Sequence, residues 1–426
     1  MLNLDRRQAP EVPAYEAFDL IHASPHTIAH GVPVYTITAG EQEVLRIDFV
    51  IGSGSWHEQV RLAASMTNRM LQEGSRHRPG REIAEVLDTY GAYLQYEAGP
   101  DRSGVSLYTL SKYLPEVLPT VLELLFMPGF PLTELETTVR NNIQQLEVEG
   151  QKVSVLARRT FMQAVFGAEH PYGYQAVADD FKQLRPDQLA RFHKRHYTTD
   201  NVSIVVAGWQ AESAVLVLNK AFEALTPCYA EKGLPEYPLL SASPGLIEVT
   251  KAGALQHALR LGKQLVGKQH ADYAGLKVLN TVLGGYFGSR LMSNLREDKG
   301  YTYGVGSALL SYEHGAFFTI ATEVGADVST DALAQIKHEI DRLRSELIPA
   351  EELATVRSYL QGVYLSNFDG PFALADRFRD VHFFGLDYDY YDRYIGTVQN
   401  ISAEQLQELA QRYLDPDSLI AVRAGS

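Results

Sequence analysis

The sequence predicts an α+β fold of two similar halves, each a mostly antiparallel sheet with helices packed on it. Two observations carry this. Leu184–Gly208 reads LRPDQLARFHKRHYTTDNVSIVVAG and Ile401–Gly425 reads ISAEQLQELAQRYLDPDSLIAVRAG, and the two align without a gap at an offset of 401 − 184 = 217. Gln188/Gln405, Leu189/Leu406, Arg195/Arg412, Asp200/Asp417, Val205/Val422, Ala207/Ala424 and Gly208/Gly425 are identical. A repeat at about half of 426 residues means a duplicated domain; a solenoid would repeat every roughly 20 to 50 residues. Secondly, strands and long helices occur with hairpin-like pairs and without regular βαβ alternation.

In chain order, Val32–Thr38 and Glu43–Ile51 read as a hairpin. Arg61–Leu71, Arg81–Tyr90, Lys112–Phe126 and Thr133–Leu146 carry helical spacing. Gln95–Leu110 alternates as a strand pair around Pro100-Asp101. Each copy of the repeat reads as a helix, an Asp-containing turn and an apolar strand ending in Gly. Pro186 can open the first of these helices, Asp200-Asn201 and Asp415-Pro416-Asp417 are turn signals, and Val202–Ala207 is a buried-strand pattern. Trp209–Gly245 separates the halves and holds Pro227, Pro235, Pro238 and Pro244. Its second part reads as a linker, giving an N-terminal domain 1–225, a linker 226–245 and a C-terminal domain 246–426. In the second half Leu246–Lys251, Ala258–Leu265, Tyr301–Ser311 and Gly315–Val324 read as strands, and Ala271–Leu283 and Thr330–Leu343 as helices.

With 45% apolar residues the chain can bury two or three cores. It has 38 basic and 52 acidic residues, a net charge of −14. Nucleic acid and anionic membranes select basic surfaces, so neither is expected as the main partner; a polycationic or unfolded peptide is compatible. Cys228 is the one cysteine, which excludes an intramolecular disulfide and fits a reducing compartment. The N-terminal MLNLDRRQAPEVPAYEAFDL lacks the apolar stretch of a signal peptide and is too acidic for a transit peptide. No run of 18 apolar residues exists, so no membrane span is expected, and the expected location is cytoplasmic.

Gly52–Ser75, GSGSWHEQVRLAASMTNRMLQEGS, has the frame of a zinc-binding helix. It resembles the start of the pitrilysin/insulinase-type metallopeptidases. In that family a Gly-Ser turn and an acidic residue lead into a helix with H-x-x-E-H, followed by Met-Leu and a Gly-Thr or Gly-Ser turn. Met70-Leu71 and Gly74-Ser75 fit the tail, so the five motif positions fall on Ser65-Met66-Thr67-Asn68-Arg69. Histidines at i and i+4 share a helix face and can grip one ion, and the glutamate is the general base. Ser65 is a poor ligand, Asn68 is no base, and Arg69 is cationic. No zinc is expected in this chain. The family's third ligand, a downstream glutamate, falls within Gln144–Glu149, on Glu147 or Glu149. Such a residue can pair with Arg69 across the vacated site or, more commonly, stand solvated on a helix face.

Gly284–Ser307, GGYFGSRLMSNLREDKGYTYGVGS, is similar to the family's second-half signature of S-R-L, L-R-E and G-x-x-Y. The resemblance implies that its arginine and tyrosine, Arg296 and Tyr303, act in trans. They would reach a zinc site on the other half or on a partner subunit, hold the substrate backbone and support the tetrahedral transition state. A guanidinium and a phenol are donors suited to an oxygen gaining negative charge. The bland alternative pairs Arg296 with Glu297 or Asp298 and places Tyr303 in the core. Tyr301 can substitute for Tyr303, though the spacing favours Tyr303.

Other groupings carry less. His22, His26 and His30 fall at i, i+4 and i+8, but Pro25 and Gly31-Val32-Pro33 oppose one helix. His193 and His196 are replaced by Ala410 and Tyr413 in the second copy, which suggests packing. His170-Pro171-Tyr172-Gly173 resembles a structural family element. Gly284-Gly285 with Gly288 lacks the G-K-[ST] of a phosphate loop. Tyr388, Tyr390, Tyr391 and Tyr394 read as core and edge packing.

The resemblance implies a non-catalytic subunit, inactive alone, that forms a heterodimer with a homologous H-x-x-E-H-bearing partner holding the zinc. The pair would cleave peptides or unfolded segments. An alternative is a peptide-binding or scaffold protein of the same fold, as in the core proteins of respiratory complexes. A third reading relocates the metal to His22 or His170.

Overall fold

The first half runs β1 (Ser24–Thr27), β2 (Pro33–Thr38), β3 (Val44–Ile51), α1 (Ala63–Met70), α2 (Gly80–Thr89), β4 (Tyr93–Ala98), β5 (Ser103–Leu110), α3 (Leu114–Phe126), α4 (Leu132–Glu149), α5 (Val153–Phe166), α6 (Ala178–Lys182), α7 (Pro186–His196), β6 (Val202–Gly208) and α8 (Ser213–Glu223). The second runs β7 (Gly245–Thr250), β8 (Gln256–Gln264), α9 (Tyr273–Asn280), β9 (Val305–Tyr312), β10 (Gly315–Gly325), α10 (Ser329–Ser345), α11 (Ala350–Ser366), α12 (Pro371–His382), α13 (Asp389–Asn400), α14 (Ala403–Tyr413) and β11 (Ile420–Gly425). This computed structural model describes residues 19–230, 233, 235–238 and 243–426. The leader reading of the N-terminus falls largely outside the described residues, as do 231, 232, 234 and 239–242 of the linker reading.

The continuous apolar strands of the repeat become central strands, since a strand buried on both faces needs neighbours on both edges. The six-stranded sheet has the order β1-β2-β6-β3-β5-β4, and the five-stranded sheet β7-β11-β8-β10-β9. In the first, β6 lies parallel to β2 and antiparallel to β3. In the second, β11 lies parallel to β7 and antiparallel to β8. All other ladders are antiparallel. The two sheets are thus one plan built twice, with β1 added at an edge of the first.

Val32–Thr38 and Glu43–Ile51 form strands but no hairpin. β6 inserts between them, with Val34 opposite Ile204 and Ile47 opposite Val206. Adjacency in sequence favoured the hairpin; burial of the apolar β6 decides otherwise. Thr226–Gly245 contributes only the first residue of β7 to regular structure among its described residues.

The halves exchange helices. α5 packs on β8 and β11 of the second sheet, and α12 packs on β2 and β6 of the first. Phe161 and Phe166 of α5 share a core with Ala258, Phe317 and Val422. A Cβ on Gly262 would lie 1.9 Å from the Phe318 carbonyl oxygen of the next strand and 2.9 Å from the Phe161 ring, so glycine permits both close approaches. Reciprocally, Phe378 and His382 of α12 stack on Tyr35 of β2, with ring centroids 4.8 and 4.5 Å away.

A buried ion network crosses the same junction. Asp48 of β3 accepts from Arg46 at 2.8 Å and from Arg379 of α12 at 3.3 Å. Arg46 also pairs with Asp376 at 2.8 Å, and Arg102 with Glu313 at 2.5 Å. Burial disfavours the charge on Arg46, but Asp48 and Asp376 more than offset it and raise its pKa.

Candidate functional site

The degenerate motif lies on α1, as its helical spacing predicts. Leu62 enters it in a left-handed conformation with φ 67°. Glu58 serves as an acidic cap, accepting from Leu62 N at 3.1 Å and Ala64 N at 2.8 Å. Burial pushes its carboxyl up to about 7 against these two bonds.

The three motif positions have other employment. Ser65 Oγ donates to the Leu62 carbonyl at 3.2 Å. Asn68 is buried and donates through Nδ2 to Gly104 O of β5 at 3.0 Å and to Tyr197 OH at 3.3 Å. Arg69 is exposed and donates to Asn142 Oδ1 of α4 at 3.4 Å. A hydroxyl turned to its own helix, an amide engaged with the sheet and a guanidinium do not fit a zinc ion. Arg69 does not pair with Glu147 or Glu149 among the described residues; Glu149 accepts instead from Gln145 at 3.0 Å on the same helix. Asn142 takes the guanidinium instead.

Asn68 now ties α1 to the sheet. Asn68→Ala should cost about 1–3 kcal/mol, since it strips a donor from buried acceptors. Urea denaturation measures this; a loss below about 0.5 kcal/mol, the range of ordinary surface changes, would mean the amide holds nothing.

The second motif is built more firmly. Arg290 is buried and bidentate on Glu352 of α11, with both bonds at 2.8 Å. This fixes Ser289-Arg290-Leu291 against α11 and sets the course of the helical turn Met292–Asp298 that carries Arg296. After it, Gly300 turns the chain with φ 63°, a conformation glycine adopts without strain. Thr322 of β10 donates to Gly304 O at 3.0 Å, and Gly304 N donates to Thr302 Oγ1 at 3.1 Å. Tyr301 donates its hydroxyl to Asp331 at 2.8 Å. Both neighbours of Tyr303 are therefore pinned, and its side chain stands 90% exposed.

Arg296 and Tyr303, seven residues apart, meet in space. The Arg296 guanidinium lies 5.1 Å from the Tyr303 ring centroid and 4.7 Å from that of Phe287. No ion pair to Glu297 or Asp298 forms among the described residues, and Tyr303 is not core, so the bland reading of this pair fails. Tyr303 opens on a cleft of about 510 Å³ whose walls include Ser154 of α5, Gln256 and Arg260 of β8 and Glu323 of β10. The pair can present two adjacent donors to one oxygen, held by rings rather than neutralised by a carboxylate.

The remaining histidines are dispersed. His22 stacks on Tyr388 at 4.1 Å, His26 bonds Thr36, and His30 donates to the Phe222 and Leu225 carbonyls. His170 Nδ1 accepts from Tyr172 N. Among the described residues no group of three His, Cys, Asp or Glu side chains could hold a metal. Tyr391 is core on α13, and Tyr388, Tyr390 and Tyr394 pack around the same core, as expected.

Sequence reasoning passed over the surroundings of His196. Ser53 Oγ lies 2.9 Å from His196 Nδ1, and Asn201 donates to Ser53 Oγ at 3.1 Å. These residues come from separate segments, and no local pattern joins them. Burial pushes both His193 and His196 down to about 4. Unfolded histidine titrates near 6.5. Between pH 6.5 and 4 the unfolded chain then binds more protons, so stability falls as pH falls through that window. Tm measured from pH 7 to 4 should show this acid limb. His193→Gln, whose amide can still donate to the Leu125 carbonyl that His193 Nε2 holds at 2.7 Å, should flatten it. An unchanged limb would exclude His193 as its source.

Residues 183–360 match the family model described as Peptidase M16 inactive domain. The match contains Arg296 and Tyr303 and leaves Ser65–Arg69 outside. The Bacillus subtilis protein named Uncharacterized zinc protease YmxG is 23% identical over 403 residues, covering 93% of this chain and 97% of that protein. The crystal structure of a peptidase M16 inactive domain from Pseudomonas fluorescens matches with TM-score 0.85 and 23% identity, over 95% of this chain and 98% of that one. A Helicobacter pylori protease structure matches with TM-score 0.85 and 19% identity, over 96% and 100% of the chains. The resemblance to M16, the pitrilysin/insulinase type, therefore holds in sequence and in the two-half fold. No helix among the described residues is long and apolar enough to cross a membrane.

Proposed function

We propose that this M16-like chain is the non-catalytic subunit of a zinc-dependent peptidase. It pairs with a homologous subunit that carries H-x-x-E-H. The observation behind this is the contrast between the two motifs. On α1 the ligand positions are reassigned to structural bonds. On the second half the exposed Tyr303 and its Arg296 are held ready, with no described carboxylate on the arginine and no described partner for the tyrosine hydroxyl. A long-lived structural arginine would be expected to keep a counter-ion such as the one Arg290 has in Glu352.

The division of labour follows from the chemistry. The partner's zinc would supply an activated water. Arg296 and Tyr303 would orient the scissile carbonyl and donate to its oxygen as negative charge develops there, which lowers the barrier selectively. Phe287, 63% exposed beside the guanidinium, keeps Arg296 extended towards that oxygen. Substrates are peptides or unfolded segments that enter between the two subunits. Hydrolysis of a fluorogenic peptide by this chain, by the partner and by their mixture tests the reading, with activity expected in the mixture. A peptide-binding or scaffold role would instead give tight association and no gain in hydrolysis.

A further inference from the structure

A small pocket of about 240 Å³ opens between α7 and the turn Ser53–His57, beside the start of α1. Its walls include His57, Gln59, Gln188, Arg191, Lys194 and His196. The chain carries a net charge of −14, yet this pocket has no acidic residue in its lining.

The hydrogen bonds fix what the two imidazoles offer. Gly54 N–H donates to His57 Nδ1 at 3.1 Å, so that nitrogen is an acceptor and the neutral ring carries its proton on Nε2. At His196 the same result comes through a relay. Asn201 Nδ2 also bonds its own helix carbonyl, His196 O, at 2.8 Å, and it donates to Ser53 Oγ at 3.1 Å. With Asn201 donating to it, Ser53 Oγ keeps its own hydrogen, and giving that hydrogen to His196 Nδ1 at 2.9 Å leaves the His196 proton on Nε2. His57 therefore presents Nε2–H, His196 does so with Ser53 as the donor, and neither Nε2 has a partner among the described residues. The rings lie 5.6 Å apart in an edge-on arrangement. Burial lowers the pKa of both, so they stay neutral donors at neutral pH.

We propose that this pocket binds a small oxyanion, a carboxylate or phosphate group, between His57 Nε2–H and His196 Nε2–H, with Arg191 and Lys194 at its mouth. Cations near the end of α7 also complement the helix dipole. That accounts for Lys194 but not for Arg191 in the middle of the helix, nor for two imidazoles whose Nδ1 atoms are both hydrogen-bonded while both Nε2 atoms have no described partner. The volume is below the roughly 300 Å³ at which pockets hold drug-sized ligands. It suits a single head group, either a free anion or the C-terminal carboxylate of a peptide. Arg191 already meets Asp187 at 2.8 Å, so its charge is shared, and Lys194 is the exposed cation with no described partner.

Calorimetric titration of the full chain tests this with three probes: inorganic phosphate, a short peptide with a free C-terminus, and the same peptide amidated. Saturable binding with Kd below about 1 mM is expected for phosphate or the free-acid peptide and not for the amide. Phosphate alone identifies a free anion, and the free-acid peptide identifies a peptide terminus. Lys194→Glu, which touches no buried bond, should weaken binding at least tenfold while lowering Tm by only about 2–4 °C, the scale of the lost helix-dipole term. Imidazole nitrogen NMR of the unmutated chain should show Nε2–H on His57 and His196, with both signals moving on titration. No saturable binding to about 10 mM, equal binding of the amide, binding indifferent to Lys194→Glu, or imidazole signals that stay still would each overturn the site.

Discussion

Arg296→Ala and Tyr303→Phe should each lower kcat of the mixed peptidase by roughly 10²-fold, the size of a lost transition-state donor. The effect should fall on kcat more than on KM, because the bonds strengthen as charge develops on the carbonyl oxygen. The double variant should lose less than the product of the two, since the guanidinium lies on the Tyr303 ring and the two act as a unit. Tyr301→Phe is the control. Its hydroxyl is given to the Asp331 carboxylate, so Tyr301 is not a free donor for a carbonyl oxygen, and its loss should leave kcat within a factor of about two or three. Full activity in both Arg296→Ala and Tyr303→Phe would remove the pair from the reaction.

Asp48→Ala should destabilise the chain by about 3–5 kcal/mol, the cost of stripping a buried charge of its partner. Asp48 is 1% exposed and lies between Arg46 and Arg379. Its removal leaves Arg46, itself 6% exposed, with Asp376 as its only described carboxylate, and brings two guanidinium groups together without the intervening carboxylate. Because Arg379 sits on the exchanged helix α12, the damage should reach the second half as well. Arg46→Leu combined with Asp48→Leu should be much milder, since replacing a buried pair is cheaper than breaking it. The helix exchange gives the same expectation at larger scale. Each half expressed alone would expose the sheet face that the other half's helix covers, and should not fold cooperatively. Guanidinium denaturation followed by near-UV circular dichroism reads both. A loss under about 1 kcal/mol for Asp48→Ala would show that water or relaxation replaces the carboxylate.

The repeat made the plan of both sheets readable, because Val202–Gly208 and Ile420–Gly425 are apolar enough to be central and sit at equal offsets. The false hairpin between β2 and β3 shows the limit. Register with a strand some 160 residues away is set by burial and leaves no mark in the intervening turn. The helix exchange was equally hidden. Apolar spacing in α5 says that one face is covered, not which sheet covers it. The motif residues followed the same division. The signature's fixed spacing put Arg296 and Tyr303 on one segment, and their side chains do lie side by side. The structural duties of Asn68 and Arg69 were not, since Gly104, Tyr197 and Asn142 come from three other elements. His196 looked like packing from the repeat comparison, and only Ser53, His57 and Asn201 reveal what its ring offers.

The most direct measurement is hydrolysis of a quenched fluorescent peptide library by this chain alone, by its H-x-x-E-H relative alone, and by the two mixed. A divided active site gives silence from this chain and chelator-sensitive cleavage that appears only on mixing. Chelator-sensitive cleavage by this chain alone would contradict it, as would a mixture no faster than the relative alone.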